Sequence, residues 1–271
     1  VPSIGNFMLK MGALKVNNFP NLKIVRFAGE PLPEVIAKTW QSAAPYASIE
    51  NHYGPTEATI DVCRNIYSHE QQMQKYHNGI VPIGEAFPNM HVEILNENGI
   101  LVENATEKGE IIFKGPQITN GYLNDEEKTN LSFVRFKWDD TNDIWYKSGD
   151  IGFRNELGLI ECCGRLDSQI KIGGRRIEVG EIESKLSKFS KIGEIVVVSV
   201  RNDLGLVEYC IGFTLVELQN DEYLEIRKQS SLVLDTAFFP KRIFKVEHFP
   251  RTNSGKIDRK SLGELAKELM G

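Results

Sequence analysis

The chain has 271 residues, 41% of them hydrophobic and 25% charged, which is typical of a globular protein with a sizeable core. Its 32 Lys and Arg against 37 Asp and Glu give a formal charge of −5, which argues against a basic face for nucleic acid. No apolar run approaches the roughly 18–20 residues of a membrane helix. Four irregularly spaced cysteines suit neither a disulfide scaffold nor a zinc site. We therefore expect a cytoplasmic protein with no membrane or nucleic-acid partner.

Helix and strand patterns alternate over the first sixty residues. They predict a helix at 6–16, an apolar strand at 22–27, a helix at 33–44 and a strand at 47–52. Such alternation is typical of an α/β sheet with helical crossovers. We therefore expect residues 1–80 to form an α/β part of the molecule.

From residue 81 the pattern changes to short strands separated by turns. Strands predicted at 91–95, 110–113 and 159–163 favour a small β-barrel or sandwich over 81–166. From residue 168, a strand, a Gly-Gly hairpin and a second strand precede an amphipathic helix at 180–189. Further elements complete an α+β unit, with strands at 194–200, 209–216 and 242–246 and a helix at 221–234. The joint between the two parts is expected at 165–168.

The strongest local signal is a strand that runs into a Gly-Pro turn and a predicted helix, Asn51-His52-Tyr53-Gly54-Pro55-Thr56-Glu57. A helix start can present the Thr56 hydroxyl and backbone N–H groups to a phosphate, and Glu57 beside a phosphate suits Mg²⁺. Tyr53 offers a ring face on which a base can stack. A plain turn with an N-cap Thr explains the same residues, so this segment alone leaves both interpretations open.

Three further segments could carry chemistry. Residues 146–150 place Asp150 where a carboxylate can accept hydrogen bonds from two ribose hydroxyls, or where it forms an Asx turn. Residues 164–183 combine the Gly173-Gly174 pair with basic residues, but they lack the spacing of a phosphate loop. The loop at 250–260 carries Lys256, which can stabilise a developing negative charge or lie in a solvated basic loop.

In this order and spacing, the segments resemble the adenylate-forming superfamily, in particular the amino-acid adenylation domains of nonribosomal peptide synthetases. The resemblance runs from Phe27-Ala28-Gly29-Glu30 to Lys260 and includes Gly109-Glu110-Ile111 and Asn120-Gly121-Tyr122-Leu123. It implies an enzyme in which an amino-acid carboxylate attacks the α-phosphorus of ATP, giving an acyl-adenylate and pyrophosphate. The acyl group would then pass to the phosphopantetheine thiol of a carrier protein.

The resemblance also implies roles for individual residues. Those that hold ATP or AMP would be Gly29, Glu30, Asn51, Tyr53, Gly54, Thr56, Asp150, Arg165 and Lys256. Asp150 and Arg165 would bind the ribose, and Glu57 would hold Mg²⁺. The catalytic residues would be Thr56, Glu57 and Lys256. Lys256 would bridge the acyl carboxylate and the phosphate oxygens, offsetting charge in the transition state.

The same resemblance implies a substrate pocket and shows where the chain departs from the family. The pocket would include Arg26, Ala28, His52, Ile60 and Asp61. Three of these five residues are polar or charged, so we expect a polar substrate side chain rather than an aliphatic one. Cys162 stands where an aromatic residue is common, and Gly173 where Arg is common.

In this family, residues 1–166 would be the later part of a large N-terminal domain, and 168–271 a mobile C-terminal domain that turns about Asp167. The Gly-, Ser- and Thr-rich phosphate loop of complete members has no counterpart in the sequence. The chain begins with Val1 rather than Met. We therefore expect an incomplete domain whose missing N-terminal half is a required partner.

Two other functions stay open at this stage. The chain could be an acyl- or aryl-CoA synthetase, which shares the first half-reaction but uses another acid and acceptor. It could also be a binding fragment that is inactive without its N-terminal half. The Tyr-Gly-Pro-Thr-Glu segment and the Asn-Ser-Gly-Lys-Ile-Asp-Arg segment favour amino-acid adenylation over the CoA ligases.

Overall fold

The computed structural model describes residues 1–67, 76–166, 169–252 and 255–270. The chain divides into two compact units, Val1–Asp167 and Ser168–Gly271. Each unit has its own clusters of buried apolar side chains. The predicted hinge residue, Asp167, lies outside the described residues. None of the helices among the described residues combines the length and apolar character that crossing a membrane requires.

The first unit opens with a mixed four-stranded sheet. Its elements are α1 (Pro2–Lys10), β1 (Ile24–Phe27), α2 (Glu34–Ala43), β2 (Ser48–Tyr53), β3 (Cys63–Tyr67) and β4 (Glu85–Ala86), with the strands in the order β1-β2-β3-β4. β1 and β2 are parallel and are connected through α2, as the predicted α/β alternation requires. β3 and β4 add antiparallel.

The first helix lies earlier in the chain than predicted. The apolar pattern predicted 6–16, whereas α1 begins at Pro2 and ends at Lys10. Proline is well accommodated in the first turn of a helix because its missing N–H has no partner there. Gly12, at φ 67°, adopts the left-handed conformation that ends helices.

An antiparallel five-stranded sheet follows in the same unit. It comprises β5 (His91–Leu95), β6 (Gly109–Lys114), β7 (Phe133–Val134), β8 (Trp145–Arg154) and β9 (Ile160–Arg165), with α3 (Glu126–Ser132) before β7. The order is β5-β6-β8-β7, and β9 pairs with β8. Inward-facing residues such as Ile111 and Phe113 pack in one buried cluster with Val62 and Cys63, so this sheet shares its core with the end of the first one.

The second unit is a three-stranded sheet with helices on its faces. Its elements are β10 (Gln169–Ile172), β11 (Arg175–Glu178), α4 (Val179–Leu186), β12 (Ile195–Arg201), β13 (Val207–Thr214), α5 (Asn220–Ser230), β14 (Ile243–Lys245) and α6 (Arg259–Met270). β10 and β11 form the predicted Gly-Gly hairpin. Because strand side chains alternate, Val197 packs in a cluster with α4 and α5, while Val196 and Val198 pack with α6.

Candidate active site

The strand-turn segment forms a compact, strained corner at the end of β2. A Cβ atom on Gly54 would lie 2.4 Å from the Ile60 carbonyl oxygen and 2.7 Å from the Asp61 Cα, so only glycine fits there. Thr59 and Ile60 have φ angles of 52° and 77°, a conformation that is costly for β-branched residues. Such strain persists only where the surroundings fix the backbone.

The helix predicted to start at Thr56 is a single turn of 3₁₀ helix, Thr56–Ala58. A helix does begin at Thr56 as predicted, but the left-handed residues Thr59 and Ile60 end it after one turn. Thr56 is exposed at its start, while Glu57 is buried. The corner therefore presents Thr56 outward and turns Glu57 toward the protein.

Tyr53, Asp150 and Arg165 meet in one largely buried cluster. β8 and β9 pair Asp150 opposite Arg165, whose Nη1 donates to Asp150 Oδ1 at 2.6 Å and to the Ser148 carbonyl at 3.2 Å. The Tyr53 hydroxyl donates to Asp150 Oδ2. Burial, together with the Asp150 charge, raises the pKa of Tyr53 well above its usual value, so the phenol remains a proton donor. Three residues assigned to the nucleotide by resemblance thus lie together.

Glu57 connects this corner to the loop that follows β6. The Tyr122 hydroxyl donates to Glu57 Oε1 at 2.7 Å, and the Thr119 N–H donates to the Glu57 carbonyl at 2.9 Å. Burial and this hydrogen bond raise the pKa of Tyr122. Glu57, the predicted Mg²⁺ ligand, is therefore held in position by hydrogen bonds from Thr119 and Tyr122.

The residues assigned to adenine lie at the ends of β1 and β2. Gly29 adopts φ 86°, and Glu30, which is buried, accepts the Ser3 N–H at 2.8 Å. Asn51 is 2% exposed, and its Nδ2 donates to the carbonyls of Val81 and Pro82 at 3.0 and 2.9 Å. Both amide hydrogens of Asn51 therefore hold the backbone at 81–82. An adenine contact through those hydrogens would require their release.

Three of the five predicted pocket residues belong to one charged network. Arg26 Nε donates to Glu50 Oε2 at 2.9 Å, and His52 contacts Glu50 Oε2 through Nε2 at 2.9 Å and Asp61 Oδ2 through Nδ1 at 3.0 Å. Burial acts to raise the pKa of Glu50, but the hydrogen bonds from His52 and Arg26 outweigh it and hold that pKa below its usual value.

The other two pocket residues lie beside this network. Ala28 is half-buried just beyond β1, and Ile60 is 73% exposed. Glu50 was missed by the sequence analysis. The two-residue period of a strand could have indicated it, because that period places Glu50 on the same face of β2 as the predicted pocket residue His52.

Lys256 lies in a tight hairpin of the second unit. The Thr252 N–H donates to the Lys256 carbonyl at 2.8 Å, and Arg251 Nη1 donates to the Gly255 carbonyl at 2.8 Å. Arg259, three residues later, makes two hydrogen bonds to Glu183 at 2.6 and 2.9 Å, which anchors this end of the hairpin to α4. The Lys256 side chain is exposed. Its role in catalysis stays a prediction.

Comparison with known proteins agrees with this geometry. A family model described as AMP-binding enzyme matches residues 1–123. D-alanine–D-alanyl carrier protein ligase of Bacillus licheniformis is 32% identical over 269 residues, covering 97% of this chain and 51% of that protein. Residues 1–123 belong to this AMP-binding family of adenylate-forming enzymes. Delta-poly-L-ornithine synthetase of Acinetobacter baumannii is 33% identical over 255 residues, covering 92% of this chain but 18% of that protein.

Solved structures of adenylate-forming proteins share the fold. The adenylation domain AlmE of Vibrio cholerae, in complex with glycyl-adenosine-5′-phosphate, matches with a TM-score of 0.85 and 30% identity, covering 99% of this chain and 49% of that one. A nonribosomal peptide synthetase protein with adenylation and PCP domains, bound to a vinylsulfonamide inhibitor, matches with a TM-score of 0.73 and 25% identity, covering 89% and 40%. The chain thus spans about half the length of the D-alanyl carrier protein ligases it matches.

Proposed function

We propose that this chain belongs to an amino-acid adenylating ligase and that its first unit binds the adenosine and α-phosphate part of ATP. The observation that carries the proposal is the Tyr53–Asp150–Arg165 cluster, which lies one turn away from buried Glu57. A carboxylate has about four acceptor positions, so Asp150 can accept ribose hydroxyls while Tyr53 and Arg165 hold it in place. Held donors and acceptors of this kind bind without reorganisation.

In the first half-reaction, a carboxylate oxygen of the amino acid attacks the α-phosphorus of ATP. The bond from that phosphorus to its bridging oxygen breaks, and pyrophosphate leaves with the electron pair. Lys256, on a hairpin braced by Arg259 and Glu183, would approach the carboxylate and phosphate oxygens and offset their charge. In the second half-reaction a carrier thiol attacks the acyl carbon, a thioester forms and AMP leaves.

Glu57 is the residue proposed to hold Mg²⁺. Mg²⁺ takes oxygen ligands and commonly uses one or two protein carboxylates together with phosphates and waters, so a single buried carboxylate fits this role. When bound, the ion would neutralise phosphate charge. Among the described residues no group of three or more His, Cys, Asp or Glu forms a metal site of its own. We propose that the ion binds Glu57 together with the nucleotide phosphates, so Glu57→Ala should raise the Mg²⁺ concentration needed for exchange.

The comparisons support an amino acid as substrate and a carrier protein as acceptor. The relatives' names refer to D-alanine and a D-alanyl carrier protein, and a related structure holds glycyl-adenosine-5′-phosphate. We further propose that residues 168–271 are a mobile domain hinged at Asp167. A polar substrate side chain is proposed from the pocket residues, and fastest exchange with Leu or Val would contradict it.

Nucleotide binding can be tested on the chain itself. Isothermal titration calorimetry should detect AMP or an aminoacyl-sulfamoyl adenosine. Asp150→Asn should weaken binding roughly tenfold or more, because a ribose hydrogen bond to a charged acceptor contributes about 1.5–3 kcal/mol. Asp140→Asn, the same change at an exposed position of the first unit, is the control. Unchanged affinity in Asp150→Asn would contradict the ribose assignment.

Catalysis is tested by ATP–pyrophosphate exchange with the chain alone and in longer proteins that contain it. Lys256→Ala should abolish adenylate formation and leave thiolation from a supplied adenylate largely intact, while exposed Lys260→Ala should retain both. Equal loss of both steps would contradict the role of Lys256. Exchange that appears only when an N-terminal half is supplied would favour the inactive-fragment alternative.

The preferred acyl acceptor distinguishes an amino-acid adenylating ligase from the remaining alternative, an acyl- or aryl-CoA synthetase. Transfer of the acyl group to CoA rather than to a phosphopantetheinylated carrier protein would show an acyl- or aryl-CoA synthetase. Activation of non-amino acids in the exchange panel would point the same way.

A further inference from the structure

An ion pair covers the free edge of β12 in the second unit. β12 is an edge strand of its sheet, which has the order β12-β13-β14. Glu183 Oε1 accepts the Val197 N–H at 2.7 Å, and Arg259 Nη1 donates to the Val197 carbonyl at 2.8 Å. Arg259 also donates to both Glu183 oxygens, at 2.6 and 2.9 Å. The pair therefore makes the two backbone hydrogen bonds that a neighbouring strand would make, and it joins α4, β12 and the start of α6 at one point.

The carboxylate at this junction is itself held in place. α4 packs on β12 through Ile182 and Leu186, which are fully buried in one cluster with Val197. These two residues lie on either side of Glu183 in the helix, so its backbone moves only with that core. The Glu183 side chain is 18% exposed and that of Arg259 is 39% exposed. We therefore expect the position of Arg259 to follow the position of α4.

The start of α6 in turn fixes the hairpin that carries Lys256. Lys256 lies three residues before Arg259, the first residue of α6. Between them, Ile257 pairs with Arg251 across the hairpin. The Asp258 carboxylate accepts two backbone N–H groups in the first turn of α6, both at 3.1 Å. A shift in the start of α6 would therefore be passed directly to the backbone of Lys256.

We propose that Glu183 is a positioning residue for the adenylation half-reaction, because through Arg259 it holds the hairpin from which Lys256 acts. This inference rests on the proposed adenylating function. A lysine side chain is long and flexible, so the position of its backbone decides whether the ammonium reaches the reacting oxygens. A misplacement of about 1 Å can cost about 100-fold in rate. The expected effect is on the step that Lys256 serves and not on ATP binding, which is proposed to occur in the first unit.

Hydrogen exchange on the full chain tests the link between Glu183 and the hairpin without relying on activity. The N–H groups of Thr252 and Asp258 close the hairpin, each with a 2.8 Å hydrogen bond to a backbone carbonyl. Glu183→Gln keeps the shape and removes the charge, so these groups should exchange roughly tenfold faster, while those of β13 keep the parent rate. Glu181→Gln is the matched control, because Glu181 lies on the same helix in an exposed pair with Lys185.

Half-reaction kinetics test the role in catalysis. In ATP–pyrophosphate exchange, measured with the chain or with a longer protein that contains it, Glu183→Gln should lower kcat roughly 10–100-fold. The KM for ATP and the rate of thiolation from a supplied adenylate should each stay within about threefold of the parent. A general loss of folding would lower both half-reactions together, and Glu181→Gln should match the parent in both.

Arg259→Lys is a second variant that keeps the positive charge. A lysine lacks the planar fork that bonds Glu183 and Val197 together, so it should give the same local hydrogen exchange and the same kinetic difference, even where Glu183→Gln loosens the entire unit. Unchanged hairpin exchange in both variants, or equal loss of adenylation and thiolation, would overturn this inference. The absence of ATP–pyrophosphate exchange in every form of the parent protein would instead refute the proposed function, whatever the hydrogen exchange shows.

Discussion

Replacing Arg165 by glutamine tests whether the Tyr53–Asp150–Arg165 cluster, which we propose binds nucleotide, also stabilises the first unit. The Arg165 and Asp150 side chains are 15% and 8% exposed, and their closest atoms are 2.6 Å apart. Removing one member of a buried pair costs about 3–5 kcal/mol when the other charge is left uncompensated. Tyr53 still donates to Asp150 in the variant, so the loss should approach that of one charged hydrogen bond, about 2–3 kcal/mol.

Urea unfolding followed by tryptophan fluorescence measures the loss in free energy of unfolding of the first unit. The three tryptophans, Trp40, Trp138 and Trp145, all lie in the first unit, so their emission reports that unit alone. With a urea dependence of about 1–3 kcal/mol per molar, the midpoint should fall by roughly 1–2 M. A double-mutant cycle with Asp150→Asn isolates the pairwise energy, which we expect to be about 1.5 kcal/mol or more.

Arg154→Gln is the matched control for this experiment. Arg154 lies on β8, the strand that carries Asp150 and pairs with β9, and in its ion pair with Glu93 at 3.2 Å the two side chains are 37% and 39% exposed. Exposed pairs contribute about 1 kcal/mol or less. The reasoning is refuted if Arg165→Gln and Arg154→Gln unfold at the same urea concentration, or if the cycle gives a coupling below about 0.5 kcal/mol.

Three further predictions follow from buried contacts of the same unit. Gly54→Ala should lower the free energy of unfolding by about 2–3 kcal/mol, because its Cβ would lie 2.4 Å from a backbone oxygen, and an unchanged urea midpoint would contradict this. Tyr122→Phe should cost about 1.5–3 kcal/mol in the same assay by removing a donor to the Glu57 carboxylate. Burial raises the pKa of Cys63 to about 12, above its unfolded value, so its contribution to stability is intact below about pH 9. That contribution should fall by about 1.4 kcal/mol per pH unit up to pH 12, and Cys63→Ala should abolish this part of the fall.

Much of the fold follows from local patterns. β5 occupies the predicted residues 91–95, and the hairpin of β10 and β11 forms around Gly173-Gly174 as predicted. These elements are set by two-residue alternation and by turn residues, which act within a few positions of the chain. The first helix was misplaced because its end depends on the conformation of Gly12 rather than on the apolar pattern.

The candidate site was predictable in its members but not in its connections. The order of the motifs assigned Tyr53, Asp150 and Arg165 to the candidate site. It could not show that Tyr53 and Arg165 both hydrogen-bond to Asp150, because those contacts depend on the pairing of β8 with β9 and on the position of β2. Glu50 was missed because a single Glu in a predicted strand indicates no function until β1 places Arg26 directly opposite it. Contacts between residues far apart in sequence decide both cases.

β2 separates two kinds of chemistry by its alternation alone. Glu50 and His52 face the network that ends at Asp61, whereas Asn51 and Tyr53 face the opposite side and reach the 81–82 backbone and Asp150. The first pair belongs to the proposed substrate side and the second to the proposed nucleotide side. Gly54 ends the strand where both meet, and no other residue fits against the Asp61 backbone there. We therefore expect substitutions at positions 50 and 52 to act on the proposed substrate side without disturbing the proposed nucleotide contacts, because these side chains and those of Asn51 and Tyr53 lie on opposite faces of one strand.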